Sequence, residues 1–511
     1  MTITELVILS DVSAASSIRT RRPALQAWGG RLLKSLRGEH TMMVFAEWFR
    51  YTEATESAME PQRPANPGIN GMEVSRCRPL EWTFPFRWPE RLLGPRPGLR
   101  GFAKVCWGFF FGTLVIPLCL ALWMRLRQTA ACDFVYFYGV GQIIRNFPHT
   151  SLYDLGLQLK TFNAIAPPLS GFYGPSPYPP FVAQFFSLFA RLPFVPAFLL
   201  WMTASLGIYI YGVSLVIKEA FPREDSARSL ALCIALAFPP FILNTFANGQ
   251  IASIACFSIC LTVFLERRER PIASGFALSI LAYKPTLLIV IFPMLFITRR
   301  LKTLLGFFAG VILLFLEATA VDGAKIWPAY LHFLLQFKLI SQKAGVGVSP
   351  AQFVDLNSLS YGIPGGRSML VLAVFVAVAV AAAAWLASLL WRSSRFGRPA
   401  QSMAWATTLT WTLLLNVYVP MYDSALAVVA VILTIAALNE LELDEAASWI
   451  LLSAVLILAV SWVTEPIARR SGVQLLTILL FVFGAVQFGL LGGLCRDRKL
   501  KACSNAIVAG Q

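Results

Sequence analysis

Residues 131–180 read ACDFVYFYGVGQIIRNFPHTSLYDLGLQLKTFNAIAPPLSGFYGPSPYPP and form the first long polar break after a strongly apolar segment. An acid, Asp133, stands among aromatic residues at the start, and a second acid, Asp154, lies in the middle. The stretch closes on Tyr178-Pro179-Pro180. Because an ionisable group at the edge of a bilayer is costly, such residues mark candidate functional sites. The stretch therefore predicts a polar loop with functional acids, carried by apolar helices downstream.

The composition of the whole chain predicts a polytopic membrane protein. Of its 511 residues, 57% are hydrophobic and only 14% are charged, whereas a soluble domain carries roughly 25% charged residues. The net charge is +16. In a membrane protein such an excess reports Lys and Arg in cytoplasmic loops. No basic groove interleaved with aromatic residues argues for nucleic-acid binding.

Cysteine and histidine usage predicts neither a metal site nor a disulfide framework. The nine Cys residues form no C-x-x-C pair, and several lie inside apolar runs, which is typical of small apolar core residues. The three His residues are widely spaced, which disfavours a His-based metal site. No cofactor is expected.

Twelve apolar segments are candidate membrane spans, judged against the ~20 residues that cross the hydrocarbon core, with shorter ones allowed inside a bundle. They are Phe102–Met124, Phe194–Ile217, Arg228–Leu243, Gln250–Leu265, Pro271–Tyr283, Pro285–Ile297, Leu301–Thr319, Arg367–Trp391, Ser402–Tyr418, Tyr422–Leu438, Ala447–Val463 and Val473–Leu494. The piece 178–190 is about 13 residues long and is better read as a re-entrant or interfacial helix. With both termini inside, the basic clusters fall mostly in inside loops, as the positive-inside rule requires.

This topology divides the chain into three parts. Residues 1–100 are expected to form a basic, disordered cytoplasmic arm, residues 101–495 the transmembrane domain, and residues 496–511 a cytoplasmic tail. Two large loops, at about 125–176 and 320–366, face the outside. The prediction is thus an all-α polytopic membrane protein with about twelve transmembrane helices and two larger extracytoplasmic loops.

Polar residues at the ends of different spans fall on the same, outside face. They are Asp133, Tyr178-Pro179-Pro180, Asn248-Gly249-Gln250, Tyr283-Lys284-Pro285 and the segment from Tyr418 to Asp423. Each has a simpler interpretation: Pro and Gly punctuate turns, Lys284 snorkels from a helix end, and Asp423 caps the following helix. Their shared side favours a functional site.

The ordered series of these motifs resembles glycosyltransferase family 87. Its members are GT-C-fold membrane enzymes related to polyprenyl-phosphate-mannose-dependent α-1,2-mannosyltransferases. The resemblance covers about residues 102–440. It implies a GT-C-like bundle and a sugar donor linked to a polyprenyl phosphate. It also implies a lipid or glycan acceptor and an active site on the extracytoplasmic face of the cytoplasmic membrane.

The resemblance also suggests roles for the conspicuous residues. Asp133 occupies the place of the general base, which takes a proton from the attacking hydroxyl. The leaving phosphate needs a cation or hydrogen-bond donors, for which Lys284, Gln250 and Tyr178 are the candidates. Inversion needs only one catalytic carboxylate. The remaining residues, Asp154, Asn248, Tyr422 and Asp423, are assigned to acceptor binding or to structure.

Two other classes stay open on sequence grounds. A transporter or flippase of a lipid-linked sugar also uses charges in the membrane, although such proteins often show inverted repeats and polar residues near mid-span. A polymerase or ligase of surface glycans keeps the chemistry and changes the acceptor. In the first outside loop, Asp154 is the rival of Asp133 for the role of base.

Overall fold

The computed structural model describes residues 132–166, 174–221, 225–343, 350–362, 369–394, 397–416, 419–441 and 443–509, together with residues 108, 111, 112, 115 and 119. The predicted arm at 1–100 lies outside the described residues, and so does the first predicted span, Phe102–Met124, apart from those five positions. Within the described ranges the regular structure is helical, and the β-type pairing there is an isolated bridge between Phe353 and Pro420.

The α-helices follow one another with short breaks. They are α1 (Phe134–Asn146), α2 (Leu155–Ile165), α3 (Pro180–Phe189), α4 (Phe194–Ala220), α5 (Asp225–Leu236), α6 (Ala252–Arg267), α7 (Pro271–Leu278), α8 (Leu288–Ile297), α9 (Leu301–Asp322), α10 (Ile326–Lys343), α11 (Leu356–Gly362), α12 (Met369–Ser393), α13 (Arg398–Leu414), α14 (Leu426–Asn439), α15 (Asp444–Ser461), α16 (Thr464–Ser471) and α17 (Leu475–Ala509). A π-helix, Pro240–Phe246, follows α5, and short 3-10 turns cover 149–153, 279–283, 285–287, 350–352 and 421–425.

Five described helical segments are long and apolar enough to cross a membrane, and two bent pairs raise the number to seven. The five are Phe194–Ala220, Leu301–Asp322, Met369–Ser393, Met421–Asn439 and Leu475–Cys495. The bent pairs, Arg228–Leu236 with Pro240–Phe246 and Trp449–Ser461 with Thr464–Ser471, turn by 51° and 60°. A multi-pass helical membrane protein is therefore confirmed, while the count of twelve spans stays a prediction.

Helix α14 forms the centre of the bundle. Its residues from Leu426 to Leu438 are all buried, and it packs against α13, α15 and α4. A helix that is apolar all round lies either in the interior or against lipid, and the contacts of α14 on every side place it in the interior. Peripheral helices differ: α12 exposes Leu370, Val380 and Trp385, which is the surface expected of a helix that faces lipid.

Two helices cross so closely that glycine is required at the contact. A Cβ at Gly275 of α7 would lie 1.8 Å from the Thr303 carbonyl oxygen, and one at Gly306 of α9 would lie 2.0 Å from the Ile272 carbonyl oxygen. Small residues of this kind let helix backbones approach in a membrane. Side chains are thus excluded from between α7 and α9 at this crossing.

The two predicted outside loops contain helices that the polar composition did not suggest. The first holds α1 and α2, and the second holds α10 and α11. Aromatic residues of α1, α2 and α10 form an apolar cluster of their own, including Phe162, Trp327, Tyr330 and Phe333. Helix α3 has ten residues, a length that suits the predicted interfacial or re-entrant helix better than a span.

Candidate functional site

The carboxylate of Asp133 lies against the Asn248-Gly249-Gln250 turn. The side-chain amide nitrogens of Asn248 and Gln250 both donate to Asp133 Oδ2, each at 2.6 Å. The Asp133 backbone N–H donates to Asn248 Oδ1 at 3.4 Å, and the Phe134 N–H donates to the Asn248 carbonyl oxygen at 3.2 Å. Two predicted site motifs, separated by more than a hundred residues, therefore meet.

The position of Asp133 at a helix start explains its orientation. It immediately precedes α1 but makes no capping bond to that helix, so its carboxylate remains directed at the turn. Phe134 anchors this point, because its ring contacts Phe186, Phe194 and Phe198 at centroid distances of 6.1, 5.7 and 5.6 Å. Aromatic packing of this kind holds the acid at the start of a rigid element.

Gly249 allows the turn to approach this aromatic anchor. Its φ is +72°, and a Cβ there would lie 2.7 Å from Phe134 Cβ. The Trp201 indole N–H donates to the Gly249 carbonyl oxygen at 2.9 Å, and the Gln250 N–H donates to the Thr245 carbonyl oxygen at 2.8 Å. The two amide side chains are thus carried by a turn that is fixed on both sides.

Lys284 is buried and paired. Its ammonium donates to Asp423 Oδ2, and the Lys284 and Asp423 side chains are only 10% and 1% exposed. The ammonium also lies 4.6 Å from the centroid of the Tyr422 ring. The two simpler interpretations are wrong here: Lys284 does not snorkel to the surface, and Asp423 lies within a 3-10 turn and does not cap α14.

Neighbouring contacts connect the Asp133 turn with the Lys284 pair. The Tyr283 hydroxyl donates to the Ile251 carbonyl oxygen at 3.4 Å, and the Thr245 hydroxyl donates to the Tyr422 carbonyl oxygen at 3.4 Å. The residues that flank Gln250 along the chain therefore contact the residues that flank Lys284 and Asp423. The two polar groups belong to one region of the molecule.

Tyr178 lies beside this region, whereas Asp154 does not contact it in the described structure. The Tyr178 ring stands between Phe137 and Tyr283, at centroid distances of 5.1 and 6.3 Å, and its carbonyl oxygen accepts from the Tyr153 hydroxyl at 2.9 Å. Asp154 is exposed and caps α2 by accepting from the Leu157 N–H at 3.0 Å. Capping is a sufficient structural role for Asp154.

Tyr136 is a largely buried neighbour of Asp133, and its pKa responds to the charge of Asp133. Burial, and secondarily the negative charge of Asp133, raise the pKa of Tyr136 to about 12. Its hydroxyl accepts from the Gly174 N–H at 3.2 Å. Tyr136 therefore stays protonated at neutral pH, and it joins the start of α1 to the segment that leads to Tyr178.

Asp355 is an important residue to which the sequence analysis assigned no role. It is fully buried. Its Oδ2 accepts from the Val419 N–H at 3.1 Å, and its Oδ1 accepts from the Ser358 N–H and hydroxyl at 2.8 Å each. Asp355 thus connects the second predicted outside loop by hydrogen bonds to the segment that leads to Asp423. The spacing Asp355-x-x-Ser358 is a helix-capping signal that could have identified this residue.

Comparison with known proteins finds a family model that matches just under half of the chain. Residues 177–416 match the model described as glycosyltransferase family 87. The match is narrower than the range of about 102–440 over which the motifs resemble that family. It contains Asn248, Gln250 and Lys284, and it begins after Asp133, which joins it through the two amide hydrogen bonds. No curated protein and no solved structure gives a significant match.

Proposed function

We propose that this chain, which carries a glycosyltransferase family 87 region over residues 177–416, transfers a mannose-like hexose from a polyprenyl-phosphate donor. The acceptor is a lipid or glycan on the extracytoplasmic face of the cytoplasmic membrane, and the reaction inverts the anomeric carbon. The family match supports glycosyl transfer, and the apolar helices support a multi-pass membrane enzyme. One observation carries the choice of Asp133 as general base: two amides, 115 and 117 residues away, donate to one of its oxygens.

The base step follows from that arrangement. Hydrogen bonds from Asn248 and Gln250 hold the Asp133 carboxylate in one orientation at the start of α1. An acceptor hydroxyl within ~2.6–3.2 Å would lose its proton to Asp133 as its oxygen attacks the anomeric carbon. The bond to the donor phosphate breaks on the opposite side, which inverts the centre and releases the polyprenyl phosphate.

The contacts of the candidate phosphate ligands refine their roles. Gln250 donates to Asp133, so we assign it to positioning the base together with Asn248. Lys284 remains the cation for the donor phosphate, with Asp423 holding its ammonium in place and Tyr422 covering it. Tyr178 remains a hydroxyl donor beside Tyr283. Asp154 is assigned to structure as a helix cap.

Unsatisfied polar atoms in this region suit a hydroxyl-rich substrate. Asp423 Oδ1, Gln250 Oε1 and Thr286 Oγ1 are buried and have no hydrogen-bond partner among the described residues. A buried acceptor without a partner costs roughly 1–3 kcal/mol. Sugar hydroxyls bring donors that would satisfy Asp423 and Gln250, and the cost would be recovered when substrate binds.

The test is a transfer assay with matched acid variants. Membranes with equal amounts of wild-type chain, Asp133→Asn or Asp154→Asn are incubated with radiolabelled polyprenyl-phosphate sugars, and the label in lipid and glycan fractions is measured. Asn at 133 can still accept both amide bonds through its side-chain oxygen but takes no proton. We expect Asp133→Asn to lose about 10²–10⁴-fold in rate, and Asp154→Asn to stay close to the wild type.

The assay separates the alternatives. Near-normal transfer by Asp133→Asn with loss in Asp154→Asn would exchange the two roles. Normal transfer by both variants would remove the general-base assignment. If no polyprenyl-phosphate sugar is consumed by the wild-type membranes, the proposed donor class is wrong.

A further inference from the structure

A large cavity lies between α4, α5, α14 and α15, and its lining contains none of the candidate site residues. Its volume is about 1280 Å³. The walls are aliphatic for most of their length, with Ala427, Val431 and Ile435 of α14 facing residues such as Ala454 and Leu458 of α15. Pockets for ordinary small molecules measure roughly 300–1,000 Å³. This cavity therefore has room for a larger apolar ligand.

The cavity is long as well as large. The α14 residues that line it run from Ala427 to Asn439, which corresponds to about 18 Å of helix axis. The hydrocarbon core of a bilayer is ≈ 30 Å thick. A hydrocarbon chain that enters from one leaflet could thus lie along α14 within the cavity.

Charged side chains surround one end of this cavity. They are the basic residues Lys218, Arg228, Arg267, Arg268 and Arg398 and the acidic residues Glu219 and Glu440. Five positive and two negative charges leave the described lining with a formal charge of +3. Glu440 pairs with Arg267 at 2.7 Å, and Glu219 pairs with Arg268 at 2.8 Å.

Two of the remaining basic side chains are exposed. Arg228 donates through Nε to the Phe221 carbonyl oxygen at 2.6 Å, whereas Lys218 and Arg398 are both exposed. Neither Lys218 nor Arg398 has an ion pair with a described residue. This basic rim, defined as Lys218 and Arg398, is therefore suited to an anionic headgroup.

The rim and the candidate active site lie at opposite ends of the same helix. Asp423, the partner of Lys284, precedes the start of α14, while Asn439 and Glu440 stand at its end, beside the rim. Both rim residues also fall at the predicted inside ends of their helices. The donor phosphate at Lys284 and an anion at the rim would thus occupy different sites.

We propose that this cavity binds an anionic phospholipid of the cytoplasmic leaflet, with its phosphate at the basic rim and an acyl chain along α14. Anionic lipids are enriched in that leaflet, and basic pockets between transmembrane helices on that side bind their headgroups. An apolar groove of this length suits an acyl chain, because its aliphatic walls offer no hydrogen bonds to water or to a small polar ligand. This site is independent of the proposed transferase chemistry.

The experiment measures lipid retention by the full-length chain purified in mild detergent. Phosphatidylglycerol, phosphatidylethanolamine and a polyprenyl phosphate are offered separately, and bound lipid per protein is quantified by native mass spectrometry. The Lys218→Gln/Arg398→Gln double variant is compared with Lys302→Gln, which removes an exposed basic residue on the same predicted side outside the cavity. A short-chain phosphatidylglycerol tests the groove separately from the rim.

We expect long-chain phosphatidylglycerol to bind in preference to phosphatidylethanolamine. The double variant should weaken that binding about 30-fold, which follows from ~1 kcal/mol per surface basic residue, and Lys302→Gln should leave it unchanged. Short-chain phosphatidylglycerol should bind much more weakly. Equal binding of the two long-chain phospholipids, an unaffected double variant, equal binding of short chains, or a preference for polyprenyl phosphate would each overturn the proposal.

Discussion

The buried pair of Lys284 and Asp423 predicts different effects of single and double substitutions. In Lys284→Met the Asp423 carboxylate loses its charged partner while remaining 1% exposed. In Asp423→Val the Lys284 ammonium keeps its contact with the Tyr422 ring, 4.6 Å away, but loses its counter-ion. In the double variant both charges are absent, Met has nearly the volume of Lys, and Val is slightly larger than Asp.

The magnitudes follow from the burial of the pair. Removing one partner of a buried ion pair typically costs about 3–5 kcal/mol, and the Tyr422 contact adds up to ~2 kcal/mol for a desolvated cation. Replacing both partners by apolar residues is often neutral or stabilising. We therefore expect the double variant to cost about 6–10 kcal/mol less than the sum of the two single variants.

Two measurements separate the structural role of Lys284 from its proposed role in donor binding. Thermal unfolding in detergent should place both single variants below the wild type and the double variant close to it. Transfer from a labelled polyprenyl-phosphate sugar should be lost in Lys284→Met and remain lost in the double variant. A stable double variant that transfers sugar at the wild-type rate would show that Lys284 does not serve the donor phosphate.

An exposed ion pair serves as the control for the stability contribution of the buried pair. Arg268 and Glu219 are 2.8 Å apart, but the Arg268 side chain is 59% exposed. Exposed pairs contribute about 0–1 kcal/mol, so Arg268→Met and Glu219→Leu should change the melting temperature little. If Lys284→Met is as mild as Arg268→Met, the reasoning from burial is refuted.

Two further predictions concern the turn and the membrane orientation. Gly249→Ala should strongly reduce transfer, because it adds about 1–2 kcal/mol of left-handed backbone strain and places a Cβ 2.7 Å from Phe134 Cβ. Gly472→Ala is the control: Gly472 is exposed and ends α16 with φ +75° in the left-handed region, so it carries the strain alone and should keep transfer. Equal loss in both variants would count against the close approach to Phe134. Reporter fusions after Gly249 and after Arg300 should appear outside and inside respectively, and finding both on one side would break the predicted topology.

The sequence predicted that the polar motifs share a face but not how they pair. Alternating spans put the helix ends near Asp133, Asn248 and Lys284 on one predicted side, and the structure brings Asp133 and Asn248 into contact. The partners of Gln250 and Lys284 are 117 and 139 residues away along the chain. Such pairing is decided by tertiary packing, so local pattern could not reveal that Gln250 faces Asp133 or that Lys284 is already paired.

The long apolar helices were easier to predict than the elements between them. Segments such as Met369–Ser393 are uniformly apolar, and their length alone indicates a span. Helix α1 mixes aromatic, glycine and polar residues and is only 13 residues long, too short to be recognised as a span, and it buries most of its surface against α2 and α3. The sequence analysis treats Arg228–Leu243 as one span and does not predict the bend after Leu236. Pro239 and Pro240 follow this bend closely, and proline disrupts a helix.

The glycine contact between α7 and α9 determines how far Lys284 can move. Gly275 and Gly306 bring the two backbones together without intervening side chains. If one helix slid past the other, the backbone carbonyl oxygens of each helix would collide with the backbone of its neighbour. Lys284 follows the 3-10 extension of α7 directly, and it therefore stands at a constant depth relative to the outer end of α9. If Lys284 binds the donor phosphate as proposed, that phosphate has to lie at this depth in the bilayer, and lipid carriers would be selected by the level of their headgroup.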